Sequence, residues 1–253
     1  MSAPDEAYWA DVPFGDGVRR VETDPNGLAA LDKPEGILSH PNGPRDQERS
    51  LVRAKYDEAG ECFEWPGAGG VTRRLWLINR LDSATSGLIL VATTGELARE
   101  VRAQFKRRQV RKTYQALVFG RPRQKEETWT DLLEVRKLGG KIRTQAGSGR
   151  LPAQSRMSLV RAGEGSPRIS LIRLDPQTGR SHQLRVQCAK RGMPIVGDQT
   201  YGNFAANRAF AKAEGSKRMF LHSMQTSFEY AFAGRENAFS ATAPLPAEFS
   251  RQD

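Results

Sequence analysis

The chain has 253 residues, 38% of them apolar with 24 further glycines, enough to bury a core as one large domain or two packed lobes and too much for default disorder. Its charge is the outlier: 39 Lys and Arg oppose 29 Asp and Glu for a net of +10, and 29 of the cations are Arg, whose planar donor fork matches phosphate and stacks on bases, so a polyanionic partner is implied. The longest unbroken apolar run, Leu88 to Ala92, is far short of the ~20 residues of a bilayer span, and two cysteines (Cys62, Cys188) without CxxC spacing and three scattered histidines (His40, His182, His222) propose neither a disulfide framework nor a metal centre.

Residues 1–27 carry Pro4, Pro13, Gly15, Gly17, Pro25 and Gly27 and read as an irregular leader with a short strand near Val18 to Val21; their acidic start is neither a signal nor a transit peptide, so a reducing cytoplasm is expected. Leu28 to Lys33 is a predicted strand closed by a Pro34-Glu35-Gly36 turn. Residues 40–50 read as a polar loop, Leu51 to Glu58 as a helix, and Gly67 to Gly70 as a Gly-rich turn without the Gly-Lys-Ser/Thr of a phosphate loop, so no nucleotide cofactor is expected there. Arg74 to Arg80 and Leu88 to Ala92 are predicted strands joined by a turn. Thr93 and Glu96 have capping-box spacing, and Leu97, Val101 and Phe105 recur every four residues behind them, which predicts an amphipathic helix over 95–108.

Lys112 to Phe119 is rich in β formers and ends at Gly120; 121–152 reads as loop-rich. Strands at 154–161 and 168–174 flank Gly163 to Pro167 as a hairpin. Thr178 to Gly192 starts as a turn and continues as a helix with Gly192 as its cap and Pro194 beyond, and a strand pair follows near 219–228 and 236–241. Locally pairing strands interrupted by helices, with no internal repeat, argue an α+β fold with a mostly antiparallel mixed central sheet in two lobes and flanking helices.

Much of the excess charge has an address. From Glu96 to Arg123 there are nine basic residues against two acidic ones, and Lys106, Arg107, Arg108, Arg111 and Lys112 fall where the predicted helix ends. Cations at a helix C-terminus complement its dipole, which accounts for one or two of them. Five in seven positions suit a surface that tracks the phosphates of RNA or DNA.

Two segments carry chemistry. In Asn79-Arg80-Leu81-Asp82-Ser83-Ala84-Thr85-Ser86-Gly87 a carboxylate enters a hydroxyl-rich turn between two strands. Locally Asp82 suits an Asx turn; beside Arg80 it also suits a nucleophile or base. In Thr178-Gly179-Arg180-Ser181-His182-Gln183-Leu184-Arg185 a turn delivers Arg180, His182 and Arg185 onto the first turns of a helix, a setting for anion recognition.

Together they resemble a known family. The first is similar to the His-Arg-Leu-Asp-x-x-Thr-Ser-Gly motif of the RluA-type pseudouridine synthases, with Asn79 where that family usually has His. The second, with Val186 and the Gly192-x-Pro194-Ile195-Val196-Gly197-Asp198-x-x-Tyr201-Gly202 that follows, resembles that family's second long signature. Lys33-Pro34-x-Gly36 through His40-Pro41, Lys112-Thr113-Tyr114-Gln115-Ala116-Leu117-Val118, Leu221-His222-Ser223 and Ala243-Pro244-Leu245-Pro246 agree in order. The resemblance spans about 28–249, leaving 1–27 as leader and 250–253 as tail, with too few residues ahead of it for an accessory RNA-binding module.

The resemblance implies a pseudouridine synthase catalytic fold. It also implies isomerisation of uridine in RNA to pseudouridine with neither metal nor cofactor: the uracil leaves its ribose, turns over and rejoins through C5. Asp82 would be the catalytic aspartate, with attack on the sugar, attack on the base and removal of a sugar proton all open to it. Arg185 would be its partner, and Tyr114 would stack on the target base with its hydroxyl placed for proton transfer at C5. Arg80, Arg180 and His182 would contact RNA, together with Lys106, Arg107, Arg108, Arg111 and Lys112. The expected substrate is a tRNA or rRNA stem-loop, whose splayed nucleotides are cheaper to extrude, and the expected state is a monomer. The alternative on the same scaffold is an inactive RNA-binding or assembly factor. A glycoside hydrolase would need a second acid ~5–10 Å from Asp82, and the sequence nominates none.

Overall fold

A computed structural model describes residues 6–138, 141–147, 149–165 and 167–250. It divides into two compact units, Met1–Val110 with Gln225–Ala243, and Arg111–Met224 with Pro244–Asp253. Both mix strands and helices, as the α+β expectation requires.

The first unit contains α1 (Glu6–Ala10), β1 (Arg19–Thr23), β2 (Leu28–Lys33), β3 (Lys55–Asp57), β4 (Cys62–Pro66), β5 (Thr72–Leu77), β6 (Ser86–Ala92) and α2 (Gly95–Arg107). The ladders β1–β2, β2–β6, β6–β5, β5–β4 and β4–β3 are antiparallel. Every residue of β2 and β6 is buried, because the sheet has a core on each face. Alternation divides the side chains between them. Leu28, Ala30, Leu88 and Leu90 pack with Leu97 and Val101 of α2, whereas Ala29, Leu31, Ile89 and Val91 pack with Trp9, Val12 and Leu51. A strand covered on both sides reads as an unbroken apolar run, which is why Leu88 to Ala92 stood out in the sequence.

Three expectations change in this unit. The leader is not wholly irregular: α1 buries Trp9, and Trp9, Val12 and Val18 complete the second core. Leu51 to Glu58 is not a helix; the Gly15 N–H donates to Leu51 O and the Arg53 N–H to Pro13 O, so the leader claims that backbone and holds it extended into β3. The cap of α2 is Thr94, whose hydroxyl accepts the Leu97 N–H at 3.2 Å, so the Thr93–Glu96 capping box is out of register by one residue. Within 40–50, Pro44–Arg49 forms a 3₁₀ turn.

The second unit contains β7 (Arg111–Phe119), β8 (Glu126–Leu138), β9 (Lys141–Ala146), β10 (Leu151–Arg161), β11 (Ile169–Pro176), α3 (Gln183–Lys190) and α4 (Phe204–Glu214). β12 (Leu221–Phe232) starts here, and from Gln225 it continues with β13 (Arg235–Thr242) in the first unit. The strand order β7-β11-β10-β8-β9 is antiparallel throughout.

The loop-rich expectation for 121–152 is therefore wrong: most of it is the β8–β9 hairpin. β8 alternates with Trp129, Asp131 and Leu133 inward, and the buried carboxylate at the middle position hides the period. Lys190, Arg191 and Gln187 of the α3 region satisfy that carboxylate at 2.6, 2.9 and 3.0 Å. α4 was not foreseen either. It is capped by the Asn203 side chain and ends at Gly215 with φ 68, but it buries only Asn207 and Phe210, too sparse a stripe to register as a period.

Candidate active site

Asp82 lies on the turn between β5 and β6, and the chain on both sides of it is clamped by residues 33–39. The Ser39 hydroxyl donates to Leu81 O at 2.7 Å and accepts the Leu81 N–H at 3.0 Å. On the far side Ser83 O accepts the Gly36 N–H at 2.8 Å and Lys33 Nζ at 3.0 Å. Lys33 is fully buried, and its ammonium also donates to Pro34 O and Ile37 O, both at 2.8 Å. Gly36 has φ 86, the left-handed conformation that lets the 33–39 segment fold back onto the turn. Within the turn, Asp82 O accepts the Thr85 N–H at 3.0 Å.

The family's unusual position is accounted for. The Asn79 side-chain oxygen accepts the Leu90 N–H at 2.7 Å, next to an Ile78 N–H to Leu90 O bond at 3.0 Å. It fixes where the chain leaves β5. An imidazole nitrogen is also an acceptor, so Asn and His offer the same bond here. Arg80 is exposed; its Nη1 lies 3.3 Å from His40 Nε2, and the His40 ring stacks on Tyr56 at 4.8 Å and 15°. Arg80 only donates and Pro41 O, 3.1 Å from Nδ1, only accepts, so the two contacts suit a ring that donates from Nδ1 and accepts at Nε2. Burial pushes the Tyr56 hydroxyl up to about 12.

In the second unit α3 opens at His182, held at φ 54 with Nδ1 2.8 Å from the Tyr201 hydroxyl. Arg185, three residues on, is nearly buried and makes a two-pronged pair with Asp198, Nε to Oδ2 and Nη2 to Oδ1, both 2.8 Å. Asp198 also accepts the Thr200 and Tyr201 N–H groups at 2.7 and 3.0 Å. Burial alone would raise its carboxyl; Arg185 and these two amides reverse that and hold it below the usual carboxylate range. The Arg185 guanidinium also lies over the Tyr201 ring at 5.1 Å. Asn207 of α4 grips the backbone beside Asp198, accepting the Gly197 N–H at 2.8 Å and donating to Asp198 O at 2.9 Å.

The remaining candidates divide by surroundings. Tyr114 is half-buried on β7, opposite Leu174. Arg180 is partly tied, Nε donating to Pro152 O at 3.3 Å. Lys112 is half-buried, and burial pushes its ammonium down. Lys106, Arg107 and Arg108 sit exposed at the end of α2, and Arg111 opens β7, also exposed; none of the four has a carboxylate partner among the described residues. Arg102, counted in the same cluster, is instead structural, bridging Leu77 O and the Glu61 carboxylate. Sequence reasoning did not single out Lys33, Ser39, Asp198, Tyr201 or Asn207 as site residues, although four of them stand beside or inside the motifs quoted for the resemblance.

The sequence profile described as RNA pseudouridylate synthase matches residues 27–190, which include Asp82, Tyr114 and Arg185. The chain belongs to this family. It is 33% identical to the dual-specificity RNA pseudouridine synthase RluA of Yersinia pestis over 85% of this chain and 95% of that protein. With the tRNA pseudouridine synthase C of the same species it shares 29% identity over 85% of this chain and 82% of the other. Its fold resembles human RNA Pseudouridylate Synthase Domain Containing 1, with a TM-score of 0.68 at 22% identity over 91% of this chain and 84% of that one. This pseudouridine synthase is accordingly an isomerase of uridine in RNA. Among the described residues, no helix is long and apolar enough to cross a membrane.

Proposed function

We propose that this synthase acts on a uridine in a tRNA or rRNA stem-loop, in the cytoplasm, as a monomer, with Asp82 as catalytic aspartate and Tyr114 and Arg185 as its fellow catalytic residues in a domain over 28–249. The observation that carries the assignment of Asp82 is the clamp around it: Leu81 and Ser83 are each held by a side chain or amide of the 33–39 segment. A group that must meet one atom of an extruded nucleotide needs that kind of fixed backbone. The reaction exchanges a C1′–N1 bond for a C1′–C5 bond, with a proton leaving C5 and one gained at N1. It is redox-neutral, so it calls for no electron carrier.

Asp82 supplies the carboxylate for nucleophilic or proton-removing chemistry, and the Tyr114 ring stacks on the base with its hydroxyl available for the C5 proton. Arg185 enters the reaction already oriented by Asp198. Extruding the base costs a few kcal/mol, which contacts from Arg80, Arg180, His182 and the Lys106, Arg107, Arg108, Arg111 and Lys112 cluster offset. An inactive assembly factor would have no need to retain Asp82, Tyr114 and Arg185 together. The test is site-resolved pseudouridine mapping of RNA from cells carrying Asp82→Asn in place of the wild type. One or more sites should revert to uridine while the variant still binds RNA; sites that stay modified would sink the assignment of Asp82.

A further inference from the structure

The second unit holds a cavity of about 580 Å³, within the range of ligand pockets, that Asp82, Tyr114 and Arg185 do not line. Its walls are the β8–β9 hairpin, α3 and the Thr200-Tyr201 turn. Besides the Asp131 bonds to α3, Thr144 pins the hairpin to the segments flanking that helix: its N–H donates to the Tyr201 hydroxyl at 2.9 Å and its hydroxyl to Ser181 O at 2.9 Å. The pocket therefore has a fixed back wall. Val186 and Ala189 give it an apolar floor, Tyr201 adds an aromatic ring, and Arg136, Arg143 and Lys190 line it with cations.

The charge balance is specific. Glu134 holds Arg136 at 2.8 Å, and Asp131 takes both Lys190 and Arg191, so three cations share two carboxylates. Arg143 is exposed and has no carboxylate partner among the described residues. Gln145, beside it on the hairpin, adds an amide that donates and accepts. An apolar, aromatic floor with an amide and a cationic lining matches one unpaired nucleotide, base inward and phosphate toward the arginines.

We infer that this pocket seats a nucleotide of the RNA substrate other than the uridine being isomerised, with Arg143 on its phosphate, so that the β8–β9 hairpin takes part in choosing the RNA. This deepens the reading of the enzyme as acting on structured RNA and rests on it. The test uses the full chain, its RNA substrate identified by mapping, and Arg143→Ala with Gln145→Ala as a second variant. Arg143→Ala should raise KM about tenfold with kcat unchanged and lower the slope of log affinity against log salt by about 1, the signature of one lost phosphate contact. Gln145→Ala should raise KM for the natural loop and leave it unchanged for a loop altered at the seated nucleotide. Uridine monophosphate or adenosine monophosphate at millimolar concentration should not compete, because the strand and not the free nucleotide is the ligand. Unchanged KM and salt slope in Arg143→Ala, or full competition by a free nucleotide, overturns the inference. The Asp82→Asn variant separates the two readings: it should lose turnover and keep the Arg143-dependent salt slope.

Discussion

Asp198→Asn is the most informative single change outside the chemistry. The wild-type carboxylate has 1% of its side chain exposed and accepts four bonds, two from Arg185 and one each from the Thr200 and Tyr201 amides. An asparagine keeps the shape and one oxygen, which can still serve the two backbone amides. Its NH₂, however, then meets the Arg185 guanidinium, donor against donor, and the charge is gone. Arg185 has 8% of its side chain exposed and is left as a buried cation without its counter-ion. Breaking a buried pair by removing one partner costs about 3–5 kcal/mol. At roughly 2–4 °C per kcal/mol for a chain of this size, the midpoint should fall by on the order of 10 °C. Urea unfolding followed by circular dichroism reads the loss, and replacing both residues (Arg185→Met with Asp198→Leu) should recover most of it because no charge is then stranded. Pseudouridine formation should be lost in the double variant even though stability returns. If Asp198→Asn unfolds within about 1 kcal/mol of the wild type, or the double variant is the less stable of the two, the pair is not the anchor of this unit.

The same pair sets an acid limit. The Asp198 and Asp131 carboxyls are both held below the ordinary value of ~3.9, so their stabilisation is complete above that value and lost as pH falls through the lower folded-state values; the gap in melting temperature between wild type and Asp198→Asn should be constant well above that value and narrow below it. Lys33→Met should cost about 2–4 kcal/mol by orphaning Pro34 O and Ile37 O, and should lower kcat more than it raises KM, a split visible in steady-state kinetics; equal effects on both would leave Lys33 a purely structural residue. Asn79→Ala should destabilise by about 1–2 kcal/mol through the lost Leu90 N–H acceptor, whereas Asn79→His should retain both fold and activity. Arg108 closes α2 at φ 60, so Arg108→Gly should raise stability by about 1 kcal/mol while weakening RNA binding; gel-shift and thermal melts read the opposite signs.

Legibility in the sequence followed how each residue is satisfied. β2 came through with its observed bounds and β6 nearly so, because unbroken apolar runs have one physical solution, a strand covered on both faces. α2 came through because its apolar residues recur at helical spacing behind a hydroxyl cap. β8 did not, because its middle inward position is Asp131, and a carboxylate is readable as core only once Lys190, Arg191 and Gln187 from 56 or more residues away are in view. The helix expected over Leu51 to Glu58 failed for a related reason: its backbone bonds go to Pro13 and Gly15, partners with no local signature. Asp82, Tyr114 and Arg185 enter as candidates through motif resemblance, since local order carries the motifs. Lys33, Ser39 and Asn207 act on backbone atoms of distant segments, and a side chain that grips another segment's carbonyl leaves no periodic mark.

The two candidate segments, one in each unit, use different means of fixing a residue, and the difference has consequences. Around Asp82 the holding groups are donors to backbone carbonyls: the buried Lys33 ammonium spans Pro34 O, Ile37 O and Ser83 O, the Gly36 N–H also bonds Ser83 O, and Ser39 pins Leu81. None of these groups changes charge in moderate acid, so the position of Asp82 is insensitive to it. Around Arg185 the holding group is a carboxylate, which fixes a guanidinium more tightly through two parallel bonds but ties the geometry to pH. A catalytic carboxylate clamped by a second carboxylate would be pushed toward its neutral form by like charge. Holding it through donors to its neighbours' carbonyls avoids that conflict, and the arginine, which carries the opposite charge, is the one residue of the two that a carboxylate can hold without cost to its ionisation.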